Sequence, residues 1–202
     1  LNGVTTLDLV IIQRHILGME VLNDNYKIVA ADANNDSKVT AQDLTEIRKV
    51  ILGVSDRFTN ESWRFPVAGT AVSTSPIAYT EQIQIDNLTS DVNGNNFVAV
   101  KIGDVNGSAD LNLGRGNVEA RSTDKVEMNV AEMNVEAGEL VEIPVTAENF
   151  NNVAGFQYTM NLKGASYVSI QKGAIEMSGA NVGNLGNGVV TMSYAGSEGV
   201  TV

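Results

Sequence analysis

A 35-residue internal repeat constrains the fold of this chain more than any other feature of its sequence. The segment VTTLDLVIIQRHILGM, residues 4–19, aligns with VTAQDLTEIRKVILGV, residues 39–54. Eight positions are identical: Val4/Val39, Thr5/Thr40, Asp8/Asp43, Leu9/Leu44, Ile12/Ile47, Ile16/Ile51, Leu17/Leu52 and Gly18/Gly53. The shared apolar residues recur at helical spacing, so each copy predicts an amphipathic helix that ends at its glycine. We expect the two helices to pack on one another, with a third helical turn in NDNYKIVAAD between them.

A polar loop with the ligand spacing of an EF-hand precedes the second helix. DANNDSKVTAQD, residues 32–43, places oxygen donors at loop positions 1, 3, 5, 7, 9 and 12, the pattern that holds calcium. These candidate ligands are Asp32, Asn34, Asp36, the carbonyl of Lys38, Thr40 and Asp43. Ser37 replaces the usual glycine at position 6, which would lower affinity if that position needs a positive φ. The simpler interpretation is a polar turn that caps a helix.

The first copy carries only the later part of such a loop. Aligning Asp8 with Asp43 places Gly3 at position 7, Thr5 at position 9 and Asp8 at position 12. Leu1 then falls at position 5, where it cannot act as a ligand. Whether this partial loop binds an ion is left open by the sequence.

The pattern D-x-N-x-D…D-L-x-x-I-x-x-x-I-L-G, whose helical part from D-L onward occurs in both copies, resembles the dockerins. The resemblance covers residues 1 to about 55. It implies a non-catalytic, calcium-stabilised module that docks onto a cohesin, a β-sandwich receptor. It also implies that recognition lies at loop positions 10 and 11 and at a basic pair on each helix. Carried onto this chain, the partner-binding residues would be Thr6, Leu7, Gln13 and Arg14 in the first copy, and Ala41, Gln42, Arg48 and Lys49 in the second. An ordinary solvated helix face is the alternative for the basic residues.

Composition narrows the classes of partner. With 13 Lys and Arg against 24 Asp and Glu, the net charge of −11 disfavours nucleic acid and anionic membrane surfaces. Cysteine is absent, which excludes disulfides and thiolate metal sites, and no apolar run is long enough to predict a membrane span. The absence of cysteine does not fix the compartment, and the dockerin resemblance implies an extracellular or cell-surface protein.

The rest of the chain predicts β-structure, so the fold class is multidomain α + β. We expect a dockerin-like module over residues 1–57, a small β unit and linker over 58–116, and a cohesin-like antiparallel β-sandwich over 117–202. Trp63 and Phe65 are expected in the core of the middle unit, where FVAVKI and IQIDNL alternate with period two. VEMNV, LVEIPV, GFQYTMNL, YVSI and VVTMSY are the predicted sandwich strands.

This sandwich has fewer strands than such domains usually contain. We therefore expect it to be incomplete, with Val190 and Met192 exposed and an open strand edge. Residues outside this chain would complete the sheet, or another chain would do so by strand addition.

Two further polar clusters follow the alternation of a cation loop. Asp104, Asn106, Ser108 and Asp110 form one, and Asp91, Asn93 and Asn95 form the other. No helix follows either cluster in sequence to supply a twelfth-position ligand, and turns between strands explain such clusters equally well.

Catalysis has little basis in this sequence, which holds one histidine and no cysteine. The leading hypothesis is a non-catalytic, calcium-binding scaffolding or adhesion protein. Its expected partner is a cohesin-type sandwich or a copy of itself, in a surface or filamentous assembly. The alternative is an accessory docking region of a larger secreted carbohydrate-active enzyme.

Overall fold

The computed structural model describes residues 2–110 and 126–202 of the chain. The helices are α1 (Thr6–Ile16), α2 (Asn25–Ala31) and α3 (Ala41–Ile51). The strands of the middle region are β1 (Trp63–Arg64), β2 (Ser73–Thr74), β3 (Ile77–Ala78) and β4 (Val100–Lys101). Those of the C-terminal region are β5 (Glu127–Val130), β6 (Val145–Glu148), β7 (Val153–Asn161), β8 (Val182–Gly186) and β9 (Val189–Val200). None of the helices in these described ranges is long and apolar enough to cross a bilayer.

The repeat folds as two equivalent helices that pack on one another, as its periodicity predicts. Both begin in the same way, because an aspartate one turn into the helix accepts a hydrogen bond from the N-cap threonine. Thr5 N–H donates to Asp8 at 2.9 Å in α1, and Thr40 N–H donates to Asp43 at 2.8 Å in α3. The glycines that follow the helices have φ of +69° at Gly18 and +72° at Gly53, the left-handed conformation expected there. The predicted third helical turn is α2.

One hydrophobic core joins these helices to the middle region. It contains apolar residues of all three helices together with Ile77, Val100, Ile102 and Val105. Val98 packs against its edge, so the alternating apolar residues of FVAVKI, Val98, Val100 and Ile102, share one face toward the core. The middle region therefore packs on the helical module as expected, through burial of apolar surface on both sides.

The middle region has less regular β-structure than its alternation predicts. β1 pairs with β4 and β2 pairs with β3, each antiparallel over two residues. The prediction for Phe65 is wrong, because its side chain is 48 % exposed, whereas Trp63 is half-buried. The IQIDNL segment, residues 83–88, forms no strand and is largely exposed. Alternation therefore overestimated strand content where no neighbouring strand pairs with the segment.

The C-terminal region holds two separate antiparallel sheets among its described residues. β5 pairs with β6, and β9 lies between β7 and β8. VEMNV, GFQYTMNL and VVTMSY are strands as predicted, whereas YVSI is not, and LVEIPV contributes only its last residue to β6. β8 was not predicted. Five strands lie within residues 126–202, and the predicted sandwich remains an expectation.

The expected exposure of the inner positions of β9 is wrong. Val190 is completely buried and Met192 is 7 % exposed, because β9 is the central strand of its sheet. On that sheet Phe156 stacks on Tyr158 and Tyr194, and Phe150 meets it edge-on at 5.7 Å between ring centroids. These rings form one aromatic cluster on β7, β9 and the segment just before β7.

Candidate functional site: two calcium-type loops and two docking faces

The loop between α2 and α3 is organised by the carboxylates at its two ends. Asp32 accepts hydrogen bonds from the N–H groups of Asp36 at 3.1 Å and Ser37 at 3.0 Å. Asp43 accepts from Ala33 at 2.9 Å and Asn34 at 3.2 Å with one oxygen, and from Thr40 with the other. The first and twelfth positions thus hold the loop in a closed turn, which brings its oxygen donors together.

Electrostatics at this loop favour a bound cation. Asp32 and Asp43 are 4 % and 0 % exposed. Burial raises the pKa of the Asp32 carboxyl above its ordinary value, and the charges of Asp43 and Asp36 raise it further. Burial likewise raises the pKa of Asp43. A divalent cation would relieve both the loss of solvation and the mutual repulsion of these carboxylates.

The donor set of this loop fits calcium by its chemistry. Asp32, Asn34, Asp36, Asp43 and the Lys38 carbonyl would hold the ion with oxygen atoms alone, which is the preference of a hard cation. Within residues 2–110 and 126–202, no three acidic or histidine side chains form a ready metal-holding group. The set therefore depends on amide and carbonyl oxygens as well as carboxylates. Thr40, the predicted ninth-position residue, caps α3 and accepts from Gln42 N–H at 3.2 Å.

Ser37 has the positive φ considered for position 6 from the sequence. Its φ is +67°, a left-handed value that a side chain with Cβ adopts at a cost. Asn35, two residues earlier, has φ of +61°. The second loop is therefore built with strain at position 6, where a glycine is usual.

The partial first loop is completed by residues from a distant part of the chain. Asp8 accepts from Val105 N–H at 3.0 Å and from Asn106 N–H at 3.3 Å, 97 and 98 residues away. These two contacts correspond to the contacts that Asp43 makes with Ala33 and Asn34. The structure thus brings together two predicted metal sites, the partial first loop and the Asp104–Asp110 cluster, that sequence reasoning had kept apart.

Asp104 plays the same part in this arrangement as Asp32 does in the second loop. Its carboxylate accepts from Gly107 at 2.8 Å, Ser108 at 3.1 Å and Ala109 at 2.8 Å. Asn106 accepts from Ser108 N–H at 2.9 Å, as Asn34 accepts from Asp36 N–H at 3.0 Å. The signal that could have found this was complementarity: one segment lacks the first half of a loop, and the other lacks the second half.

Further hydrogen bonds connect residues 2–3 to residues 108–110. Ser108 Oγ donates to the Gly3 carbonyl at 3.0 Å, and Asp110 N–H donates to Asn2 Oδ1 at 2.9 Å. A Cβ on Gly3 would lie 2.6 Å from both Ala109 N and an oxygen of Asp104. Gly3 is therefore required for the close approach of the two segments.

Asp8 is the most strongly perturbed carboxyl of the two loops. It is completely buried, and burial raises its pKa to about 6. Hydrogen bonds from Thr5 and Val105 oppose this shift, whereas the nearby charge of Asp104 adds to it. The other predicted cluster, Asp91, Asn93 and Asn95, lies in an exposed loop.

The docking residues predicted on the first copy are here called the first face (Thr6, Leu7, Gln13 and Arg14). Two of them, Thr6 and Arg14, contact the C-terminal sheet. Thr6 is buried, its N–H and hydroxyl donate to Gln157 Oε1 at 3.2 and 2.8 Å, and its hydroxyl lies 2.9 Å from Ser193 Oγ. Arg14 Nε donates to the Ser197 carbonyl at 3.0 Å. Gln13 is half-buried, whereas Leu7 remains 43 % exposed.

Small residues on the sheet allow this contact. A Cβ on Gly155 would lie 3.0 Å from Thr6 Cγ2 and 3.1 Å from Val10 Cγ2, so the strand approaches α1 at van der Waals distance. Thr191 Oγ1 donates to the Leu52 carbonyl at 2.6 Å, just after α3. Sequence reasoning missed this contact, since nothing local in Gly155 or Thr191 indicates which helix it meets.

The corresponding residues of the second copy, here called the second face (Ala41, Gln42, Arg48 and Lys49), differ in environment. Ala41, Gln42 and Lys49 are exposed, and Lys49 pairs with Glu46 at 2.9 Å. Arg48 is half-buried, and burial lowers the pKa of its guanidinium. Its Nε is enclosed without a hydrogen-bond partner among the described residues. Arg48 is thus less accessible than the resemblance implies.

His15, near the end of α1, is half-buried. Its Nδ1 accepts from Leu22 N–H at 3.2 Å, which anchors the turn after α1. Burial lowers the pKa of its imidazole.

Comparison with known proteins identifies the N-terminal module. The sequence model of the "Dockerin type I domain" family matches residues 2–52. No curated protein and no solved structure matches the chain significantly. The matched residues contain both repeat helices and the second loop, with the hydrogen-bond frame described above. Residues 2–52 therefore form a dockerin type I domain, a module that binds calcium through EF-hand-like loops and docks onto a protein partner.

Proposed function

We propose that this chain is a non-catalytic region of an extracellular scaffolding or adhesion protein, and that it docks a cohesin-type β-sandwich on its second face. The dockerin match supports a calcium-dependent docking role, and dockerins occur in extracellular and cell-surface proteins. The described carboxylate clusters at Asp32 and Asp104 hold loop backbones, which supports a structural rather than a catalytic use of these groups.

The observation that carries this proposal is the difference in exposure between the two repeat-equivalent faces. The first face packs on β7 and β9 of its own chain through Thr6 and Arg14. At the repeat-equivalent positions, Ala41 and Lys49 are exposed. A partner can therefore reach Ala41, Gln42 and Lys49 of the second face directly, whereas Arg48 is half-buried.

The contact on the first face also indicates what kind of surface suits the second. The sheet approaches α1 closely at two small residues, Gly155 and Ser193. Because α3 repeats the pattern of α1, a β-sheet surface of similar chemistry is the partner it fits best. A cohesin-type sandwich has this form, and a second copy of the C-terminal sheet is the competing partner.

Binding to a panel of purified type I cohesin domains in calcium, measured by biolayer interferometry, tests the proposal. Lys49→Glu should raise the Kd of a bound cohesin about tenfold, a loss of about 1.4 kcal/mol. Lys163→Glu, the same charge change at an exposed site of the C-terminal region, should leave the Kd unchanged. Arg14→Glu on the covered first face should also have little effect.

Two results would overturn the proposal. One is an Arg14→Glu effect larger than that of Lys49→Glu, which would place docking on the first face. The other is failure to bind any cohesin in calcium. Concentration-dependent dimers in sedimentation velocity, abolished by Lys49→Glu, would identify a copy of the same chain as the partner instead.

A further inference from the structure

The sequence contains two incomplete calcium loops whose missing parts are complementary. Gly3, Thr5 and Asp8 occupy positions 7, 9 and 12 of the first loop. Asp104, Asn106 and Ser108 have the spacing of positions 1, 3 and 5, and match Asp32, Asn34 and Asp36 in the second loop. Neither segment alone has enough oxygen donors for calcium, which takes six to eight.

The structure joins these halves with the same connections that close the contiguous loop. The twelfth-position carboxylate accepts from the residues at positions 2 and 3 in both cases, Val105 and Asn106 here. The first-position carboxylate accepts from the N–H at position 5 in both cases. The position-5 side chain of Ser108 also reaches the position-7 carbonyl of Gly3. The correspondence therefore extends to the backbone frame.

Charge balance gives a separate reason to expect a cation between the halves. Asp8 is fully buried and Asp104 is 7 % exposed. Neither forms an ion pair with lysine or arginine within the described parts of the chain. Lys101 interacts electrostatically with Asp104 without forming such a pair, and the charge of Asp104 acts unfavourably on Asp8. Two buried carboxylates close together are costly, and a divalent cation bound between them would offset their charge.

We infer that residues 104–108 complete the first calcium loop of the dockerin domain, so that one ion is held jointly by Asp104, Asn106, Ser108, the Gly3 carbonyl and Asp8. The inference rests on the calcium binding of the dockerin domain and is independent of its partner. This calcium ties the start of α1 to the end of the middle region. The middle region is thereby part of the docking module.

The composite site should bind calcium more weakly than the contiguous one. Asp104 and Asp8 supply two carboxylates, whereas Asp32, Asp36 and Asp43 supply three to the second loop. Fewer negative ligands lower the affinity of loops of this type.

Calcium titration of the 202-residue chain by isothermal calorimetry tests the inference. The unmodified chain should bind two ions in two steps of different affinity. Asp104→Ala should remove the weaker step and Asp32→Ala the tighter one, each leaving one ion. Asp91→Ala, in the exposed cluster of similar sequence, is the matched control and should still bind two ions.

A variant with increased calcium affinity tests the same site without depending on whether Asp104→Ala folds. Asn106→Asp adds a carboxylate at position 3 and should tighten only the weaker step, by about tenfold. Binding of one ion by the unmodified chain would overturn the inference, as would two ions bound unchanged by Asp104→Ala, or no effect of Asn106→Asp on the weaker step. Failure to bind cohesin while two ions remain bound would instead count against the proposed function alone.

Discussion

The two copies of the repeat begin with almost the same sequence and end in different surroundings. The second copy has a contiguous loop, and Ala41, Gln42 and Lys49 of its second face are exposed. Asp8 of the first copy is instead hydrogen-bonded to residues 105 and 106, and Thr6 of its first face contacts the C-terminal sheet. The repeated sequence therefore specifies the helix and loop structure of each copy, whereas the residues packed around each copy determine how accessible its face is.

Calcium removal is the largest perturbation that would distinguish the two loops. In excess EDTA we expect the melting temperature of the N-terminal module to fall by about 10 °C or more, because calcium bound only by the native state adds several kcal/mol. The composite loop should open further than the contiguous one, since its halves are about 100 residues apart along the chain. Hydrogen exchange measures this directly through the amides of Val105 and Asn106 on one side and Ala33 and Asn34 on the other.

An unchanged melting temperature in EDTA would contradict calcium stabilisation. Equal loss of protection in both loops would contradict the difference between them. Magnesium at the same concentration is a suitable control, because it demands stricter octahedral geometry and replaces calcium poorly in such loops.

The next largest effect is expected from placing a charge on the first face and, for comparison, on the second face. Thr6→Asp puts a carboxylate into a buried contact, beside Gln157 Oε1, and should cost about 3 kcal/mol or release the sheet from α1. Ala41→Asp makes the same change at the repeat-equivalent, exposed position and should change the unfolding free energy by less than about 0.5 kcal/mol. Urea denaturation and hydrogen exchange in β9 measure the two effects. Similar costs for both variants would show that the faces do not differ as described.

Relief of strain in the second loop gives a smaller, stabilising effect. Ser37→Gly replaces a residue at φ +67° by one that adopts this conformation freely, and should stabilise the calcium-bound protein by about 1 kcal/mol. It should also tighten the stronger calcium step severalfold. Asn35→Gly is the control, because asparagine tolerates a positive φ better than serine does. A weaker calcium step in Ser37→Gly would contradict the strain argument.

The smallest expected effect is a pH dependence at His15, which has no counterpart in the second copy because Val50 occupies the equivalent position. The pKa of His15 is lowered in the folded protein, so the unfolded chain binds more protons below its ordinary value of about 6.5. Stability from the Leu22 N–H contact is therefore present above that pH and lost as the pH falls below it. His15→Asn keeps an acceptor that does not titrate.

Urea titrations at pH 7 and pH 5 should show the wild-type chain losing more stability than His15→Asn. The difference between the two chains isolates the histidine from the carboxylates of the loops, which titrate in both. A loss of equal size in both chains would contradict the prediction.

Much of the helical module follows from short-range patterns. The apolar period of the repeat gave α1 and α3, the polar spacing of residues 32–43 gave the calcium frame, and the glycines at 18 and 53 gave the helix ends. These features depend on residues within one or two turns of each other, so local sequence is sufficient to specify them. The β regions were less predictable, as Phe65 and the YVSI segment show, because strand formation depends on a partner that alternation cannot identify.

The sequence by itself determined the duplicated helices, the contiguous calcium loop and the acidic character that restricts its partners. Only the tertiary structure determined that Asp8 accepts hydrogen bonds from Val105 and Asn106 and that Thr6 contacts Ser193. The contact of Thr6 determines that the first face is the more covered of the two. Thr6 and Ser193 are 187 residues apart in sequence. Bringing them together costs loop-closure entropy, which the burial of apolar residues elsewhere in the fold must offset. No local pattern records that choice, because it depends on surface shape and burial across the whole described fold.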